Sequence, residues 1–197
     1  MAISTISRTT NPTSWLGVTR AEMESQLVIG ADFEGSRTDS IIEAATQWVQ
    51  ARSEQSIIAT SQSQTFTMTL DAWPSNAKKA IYLANGPLSS ISSFTYLDSA
   101  GDSTTLVANT DYKLNNSTGN KIAFVTSIDS WPNIYTSDYR DKITIVYVTG
   151  YTAVPAWAKE AIKAYGTYLY EAKDAYLTIA ESLVSYNRIY FDWKLNE

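Results

Sequence analysis

Two side chains central to enzymatic and metal chemistry are missing: the 197-residue sequence holds no cysteine and no histidine. Their absence removes thiolate nucleophiles, imidazole bases and the Ser-His-Asp arrangement, together with any zinc site built from Cys and His. Carboxylates, lysines and tyrosines remain. The stretch "VYVTGYTAVPAWAKEAI", Val146 to Ile162, places Gly150 between a strand pattern and a helix pattern, a position where backbone amides can hold phosphate. A phosphate loop needs several glycines and a lysine close behind them. Here Gly150 stands alone before Tyr151 and Thr152, and Lys159 lies a turn into the helix, so the junction reads as a joint in a scaffold. "LDSAGDS" offers Asp98 and Asp102, and "SDYRDK" offers Asp138 and Asp141. Neither supplies the ordered oxygen ligands of a calcium loop, and both read as solvated turn carboxylates. Among 20 acidic residues no pair stands out by position as a glycosidase pair. No catalytic, cofactor-binding or metal-binding residue is assigned, no cofactor is implied, and the expectation is that the protein is not an enzyme.

The aromatic content invites a second chemistry, stacking on sugars, since there are six tryptophans and thirteen tyrosines. Trp15, Trp48, Trp73 and Trp157, however, fall on or beside elements where a core or interface needs bulk. Trp73-Pro74 and Trp131-Pro132 read as strand ends, each packing a ring over the sheet edge. The net charge of −5 and the scattered 15 basic residues, of which only Lys78-Lys79 are adjacent, argue against stable gripping of nucleic acid. No apolar run approaches a membrane span, and "MAISTISRTTNPTSWLG" has no apolar stretch after a basic start, so a soluble protein without a secretory signal is expected.

Several elements would position these residues. "TRAEMESQLVIG" carries a capping box, Thr19 with Glu22, and ends at Gly30, with Met23 and Leu27 as its apolar stripe. A longer helix is expected from about Asp39, with Ile41, Ala45, Trp48 and Arg52 on one face and Ile42 and Val49 beside them. From Gln64 the period becomes two: "QTFTMTLDAWP", "KKAIYLANGPL", a hairpin around Asp98–Asp102, another around Asn115–Asn120, and "DKITIVYVTGY" with Ile143, Ile145 and Tyr147 on one face. Pro155 is expected at the first position of a third helix bearing Ala158, Ile162, Tyr165, Leu169 and Ala172. The fold class is α+β: a helical bundle of two N-terminal helices and one long C-terminal helix, with an inserted antiparallel β layer and an extended C-terminal tail. The expected division is an arm over 1–18, helices over 19–62, the β insertion over 64–151, the long helix over 153–176 and a docking tail over 177–197.

The tail gathers Tyr186, Tyr190, Phe191 and Trp193 within eight residues, with Arg188 among them. Termini are usually polar and frayed. Folded back, these rings would fill a core; extended, they would form an exposed apolar patch that marks a partner site. The residues leave both open.

The whole plan resembles the head–tail connector, or head-completion adaptor, family of tailed bacteriophages. "TRAEMESQLVIG" and "RTDSIIEAATQWVQARSEQSI" look like its opening helices, and "AIYLANGPLSSISSFTYLDSAGDSTTLVANTDYKL" looks like its central sheet. "WPNIYTSDYRDKITIVYVTGYTAVPAWAKEAIKAYGTYLYEAKD" carries the most specific part: a Trp-Pro, an I-x-V-x-Y-x-x-G-Y strand, and a Val-Pro opening a helix that runs into "LYE". "LVSYNRIYF" resembles the family's Tyr-Arg-bearing end; Ala172-Lys173 stand where the family commonly has an Arg. The resemblance implies a virion protein that forms a ring of about twelve copies beneath the portal, completes the head and extends the DNA channel used in genome ejection. Its implied partners are the portal protein, neighbouring copies and the next neck or tail-completion protein, with DNA passing through the lumen without specific binding and no membrane contact. The implied location is the virion neck, with assembly in the host cytoplasm. Tyr186, Arg188, Tyr190, Phe191 and Trp193 would dock on the portal, and Gly150, Tyr151 and Pro155 would form the hinge between sheet and long helix. An acidic surface suits a conduit through which DNA must slide. The rival readings are a carbohydrate-binding module or carboxylate glycosidase, and a non-specific nucleic-acid binder.

Overall fold

The computed structural model describes residues 3–10, 14–30, 35–58, 64–75, 79–116, 122–136 and 141–188. The chain divides into two compact units: one holds residues 1–11, 63–149 and 190–197, the other 12–62 and 150–189. The described elements are four helices and two antiparallel sheets, an α+β fold.

In the first unit, β1 (Ile3–Thr10), β2 (Gln64–Leu70), β8 (Ile143–Thr149), β4 (Leu88–Leu97) and β5 (Ser103–Thr105) form a five-stranded sheet in that order. A second sheet has the order β3 (Ala80–Leu83), β7 (Ala123–Ser127), β6 (Tyr112–Asn115). The period-two pattern does what a half-buried strand requires. Phe66, Met68 and Leu70 of β2 lie directly opposite Tyr147, Ile145 and Ile143 of β8, and all six are buried. Ile81, Leu83, Val125 and Tyr112 of the smaller sheet join them and Phe94 in a single core. The expected one β layer is thus two sheets over one core. Both expected hairpins are present, β4 with β5 and β6 with β7.

β1 falls in the segment expected as an arm. It pairs antiparallel with β2, Ser7 opposite Thr67, with Thr9 Oγ1 2.6 Å from Thr67 Oγ1. "ISTISRTT" gives little hydrophobic signal because it is an edge strand whose described side chains are mostly exposed.

The second unit is helical. α1 (Arg20–Leu27) begins with the expected capping box: Glu22 N–H donates to Thr19 Oγ1 at 3.2 Å and Thr19 N–H donates to Glu22 Oε2 at 2.7 Å. It ends before Gly30, at Val28, which takes the left-handed conformation with φ 57°. α2 (Gly35–Ser53) starts four residues before Asp39, whose carboxylate is held by Arg20 at 3.0 and 2.5 Å instead of capping the helix. Its buried face is Thr38, Ile42, Ala45, Thr46 and Val49; Trp48 is displaced to the side, where its ring stacks on Tyr165 at 4.1 Å with Arg52 over it. The expected face through Ile41 and Arg52 is rotated because neighbours cover the small side chains.

α3 (Ala156–Glu171) is the central helix, packed against α1, α2 and α4 (Asp174–Asn187). Pro155 is its N-cap residue, one place before the expected position. The single long helix over 153–176 is two helices here, and much of 177–197 is helix, not tail. Ala172 breaks the run with φ 55°, which turns the chain back so that Ala180 and Val184 are buried. Leu169 is largely exposed, and Ala172 is a cap instead of a face residue.

Candidate interaction site at the end of α4

The polar groups that converge most in the helical unit lie where α2 and α4 both end. Glu54, just beyond α2, has φ 55° and turns the chain so that Gln55 is buried. The Gln55 amide is used at both ends. Its Oε1 accepts from the Tyr151 hydroxyl at 2.5 Å, and its Nε2 donates to the Asn187 carbonyl. Arg188 grips Glu54 Oε1 through Nη2 and, at 3.1 Å, through Nε. Asn187 Nδ2 donates to the Leu183 carbonyl at 2.9 Å, and the Asn187 carbonyl that Gln55 meets is one of those the last turn leaves without an intrahelical partner. Burial pushes the Tyr151 phenol up, so it stays a donor near neutral pH. The cluster contains no nucleophile–base pair. It is a clasp that fixes the direction in which the chain leaves α4, beside Tyr186, 90% exposed.

The structure brings together residues that the sequence kept apart. Tyr151, expected as a hinge residue, and Arg188, expected as a docking residue, share one polar cluster, so Arg188 is engaged within its own chain. Gly150 has φ 134°, a conformation open to glycine and strained for other residues, which accounts for its place directly after β8. Tyr190, Phe191 and Trp193 lie outside the described residues. Glu54 and Gln55 were missed; an acid and an amide after a helix carry no signal of partners more than 90 positions away.

The other candidate groups serve local structure. Lys159, the first lysine after Gly150, pairs with Glu22 Oε1 at 2.9 Å. Asp98 Oδ1 accepts from the N–H groups of Ala100 and Asp102 at 2.9 and 3.1 Å, and these bonds hold its carboxyl below the ordinary range. Asp102 closes that turn through its backbone carbonyl, which accepts from Asp98 N–H. Asp141 N–H donates to Asp71, and Asp138 and Lys78 lie outside the described residues. Trp73 and Trp131 stack on each other, centroids 4.6 Å apart and planes 6° from parallel. Their indole N–H groups donate to the carbonyls of Pro132 and Lys79 at 2.7 and 2.9 Å.

A pocket of about 220 Å³ in the sheet unit is lined by Tyr96, Thr104, Thr110, Asp111, Asp129 and Ser130, among others. It falls below the ~300 Å³ at which small-molecule sites usually begin. Asp111 Oδ2 accepts from Val107 N–H at 2.7 Å, so one of its two carboxylates already holds a loop. Among the described residues, no three acidic groups converge as a metal site would, and no helix is long and apolar enough to cross a membrane.

No protein-family model matches the sequence, and no curated protein matches it. Solved structures do match in fold. A chain from the neck of an empty gene transfer agent particle, computed with C6 symmetry, superposes with a TM-score of 0.71 at 18% identity, covering 95% of this chain and 97% of that one. A chain from the virion of the native gene transfer agent particle gives 0.68 at 17% identity over 95% and 96%. One from the neck of the native particle, computed with C12 symmetry, gives 0.67 at 18% over 95% and 97%. The chain therefore has the fold of these particle chains, over nearly its whole length.

Proposed function

We propose that this chain is a structural virion protein of the neck, forming a ring adaptor beneath the portal that extends the DNA channel and joins the head to the neck or tail. The observation that carries the reading is the likeness in fold, over 95% of the chain, to chains of gene transfer agent necks. Sheet unit and helical unit are both included in that span. Symmetries of C6 and C12 in those necks support a ring of copies, twelve in the fuller case. The acidic balance of the sequence suits a lumen that DNA crosses without sticking. The clasp at the end of α4 gives the segment from Tyr190 to Trp193 a fixed point of departure, which favours its use in docking on the portal. The remaining partner is the next neck or tail-completion protein, the setting is the virion after assembly in the host cytoplasm, and no catalytic step is involved.

Mass by light scattering tests this, first on the chain alone and then with the purified portal of the same particle. A ring-sized species, or a monomer that assembles only on the portal, is expected. A monomer indifferent to the portal overturns the proposal and returns attention to the aromatics as a sugar-binding array. Removing residues 189–197, which leaves the clasp intact, should abolish portal association while circular dichroism stays unchanged; normal association would exclude the tail as the docking element.

A further inference from the structure

The connection between α3 and α4 is at odds with its own sequence. "YEAKDAYL", Tyr170 to Leu177, contains neither glycine nor proline, and its Glu, Ala, Lys and Leu are good helix formers. Yet the helix stops at Ala172, which adopts φ 55° and ψ 36°, a conformation costly for a residue with a Cβ and normally given to glycine or asparagine. Two residues, Ala172 and Lys173, make the entire reversal. α4 lies along α3 over more of its length than any other two described helices share, and it also touches α2. Of its 14 residues only Ala180 and Val184 are buried, with Leu183 packed partly against the helical core. The polar clasp of Glu54 with Arg188 and Gln55 with Asn187 adds to that attachment. Ile179, half exposed, and Tyr186, 90% exposed, find no cover in this form.

A two-residue hinge in a costly conformation, a terminal helix packed on one face, and contacts that any identical chain could supply are the conditions for exchange of an element between copies. We propose that α4 is an exchangeable arm. Ala172 and Lys173 become helical, α3 and α4 run on as one helix, and Ala180 and Val184 of each copy pack on the α3 of the next. There Arg188 meets the neighbour's Glu54, and Asn187 the neighbour's Gln55. Every contact of the closed chain is remade between chains, and the strain at Ala172 is relieved. Each copy gives its arm in one direction and receives in the other, so the exchange is head-to-tail, and it closes into a ring where the rotation between copies divides a full turn. The inference rests on the ring reading proposed above and specifies its joint.

The native chain lacks cysteine, so the clasp can be marked without background. The full-length double variant Glu54→Cys, Arg188→Cys is assembled, alone or on the portal, then oxidised and run under denaturing, non-reducing conditions. Exchange gives a ladder of covalently linked chains from the assembled fraction and an internally linked single chain from the monomer. Internally linked chains alone in a ring-sized fraction overturn the exchange while leaving the ring reading standing. Failure of the wild-type chain to assemble in either setting overturns both, and absence of any link removes the clasp on which the exchange depends. As a second variant, Ala172→Gly relaxes the closed hinge and weakens the continuous helix, about fivefold each, so assembly should need about twenty-fivefold more protein. Unchanged assembly would count against the hinge.

Discussion

At Glu22 three donors meet one carboxylate: Thr19 N–H at 2.7 Å and Thr19 Oγ1 at 3.0 Å on Oε2, and Lys159 Nζ at 2.9 Å on Oε1. The Thr19 backbone bond, then Lys159, hold its carboxyl down from an ordinary 4.5 to about 2. A folded pKa below the unfolded one means that the contribution is complete above about pH 4.5 and is lost as the pH falls through about 2. Glu22→Gln should therefore lower stability by about 1 kcal/mol at pH 7, the ordinary worth of a cap. The full shift would give more, but both partners are 39% exposed and solvent screens them. The gap between variant and native chain in thermal unfolding should shrink as the pH approaches 2; a constant gap would disprove the assignment. Thr19 and Glu22 could be read from the sequence because a capping box is local. Lys159, 137 positions away, could not. Tyr147 is a second case. Its ring is buried in the sheet core, burial raises its phenol, and its hydroxyl lies near the Ala84 backbone without a well-aligned hydrogen bond. Tyr147→Phe removes an unsatisfied polar atom and should leave stability unchanged or raise it by about 1 kcal/mol. Urea unfolding would check this, and a loss of more than about 1 kcal/mol would mean the hydroxyl is satisfied.

Among the elements, α3 sets the tightest limits because its neighbours approach from several sides. Gly17 is where the chain enters this packing: a Cβ there would stand 2.5 Å from Ile162 Cδ1 and 2.9 Å from Thr46 Oγ1. Ile162 is fully buried and Thr46 accepts the Gly17 N–H, so neither can give way freely. Gly17→Ala should cost about 1–3 kcal/mol, measurable as a lowered urea midpoint with an unchanged slope; a neutral substitution would show the packing to be looser than described. In the sheet unit the corresponding point is the Trp73–Trp131 stack, which also touches Phe94. Trp131→Ala should cost about 3 kcal/mol and abolish the far-ultraviolet exciton signal of two stacked indoles. Persistence of that signal would mean the rings do not stack. The strands β2 and β8 were legible because alternation is enforced by one buried face. The meeting of two Trp-Pro pairs was not, since nothing in either pair marks the other.

At the scale of the whole molecule, the likeness in fold to neck chains spans both units. The acidic sequence makes a further test simple. The proposed conduit role predicts that the protein does not retard linear duplex DNA at low salt, where nonspecific binding is strongest. Retardation released by rising salt would support a nucleic-acid binder instead.

The sequence by itself determined that cysteine and histidine chemistry is absent, where α1 to α3 and the strands after β1 fall to within a few residues, and that helices flank a run of antiparallel strands. Each follows from composition or from a periodicity repeated within one segment. The tertiary structure alone decided that the strands divide into two sheets, that α1 and α2 shift their ends, that a helix continuous by propensity turns back at Ala172, and that Tyr151, Gln55, Asn187 and Arg188 meet. Those outcomes depend on contacts between residues far apart in the chain, whose combined burial outweighs local preferences worth about 1 kcal/mol each.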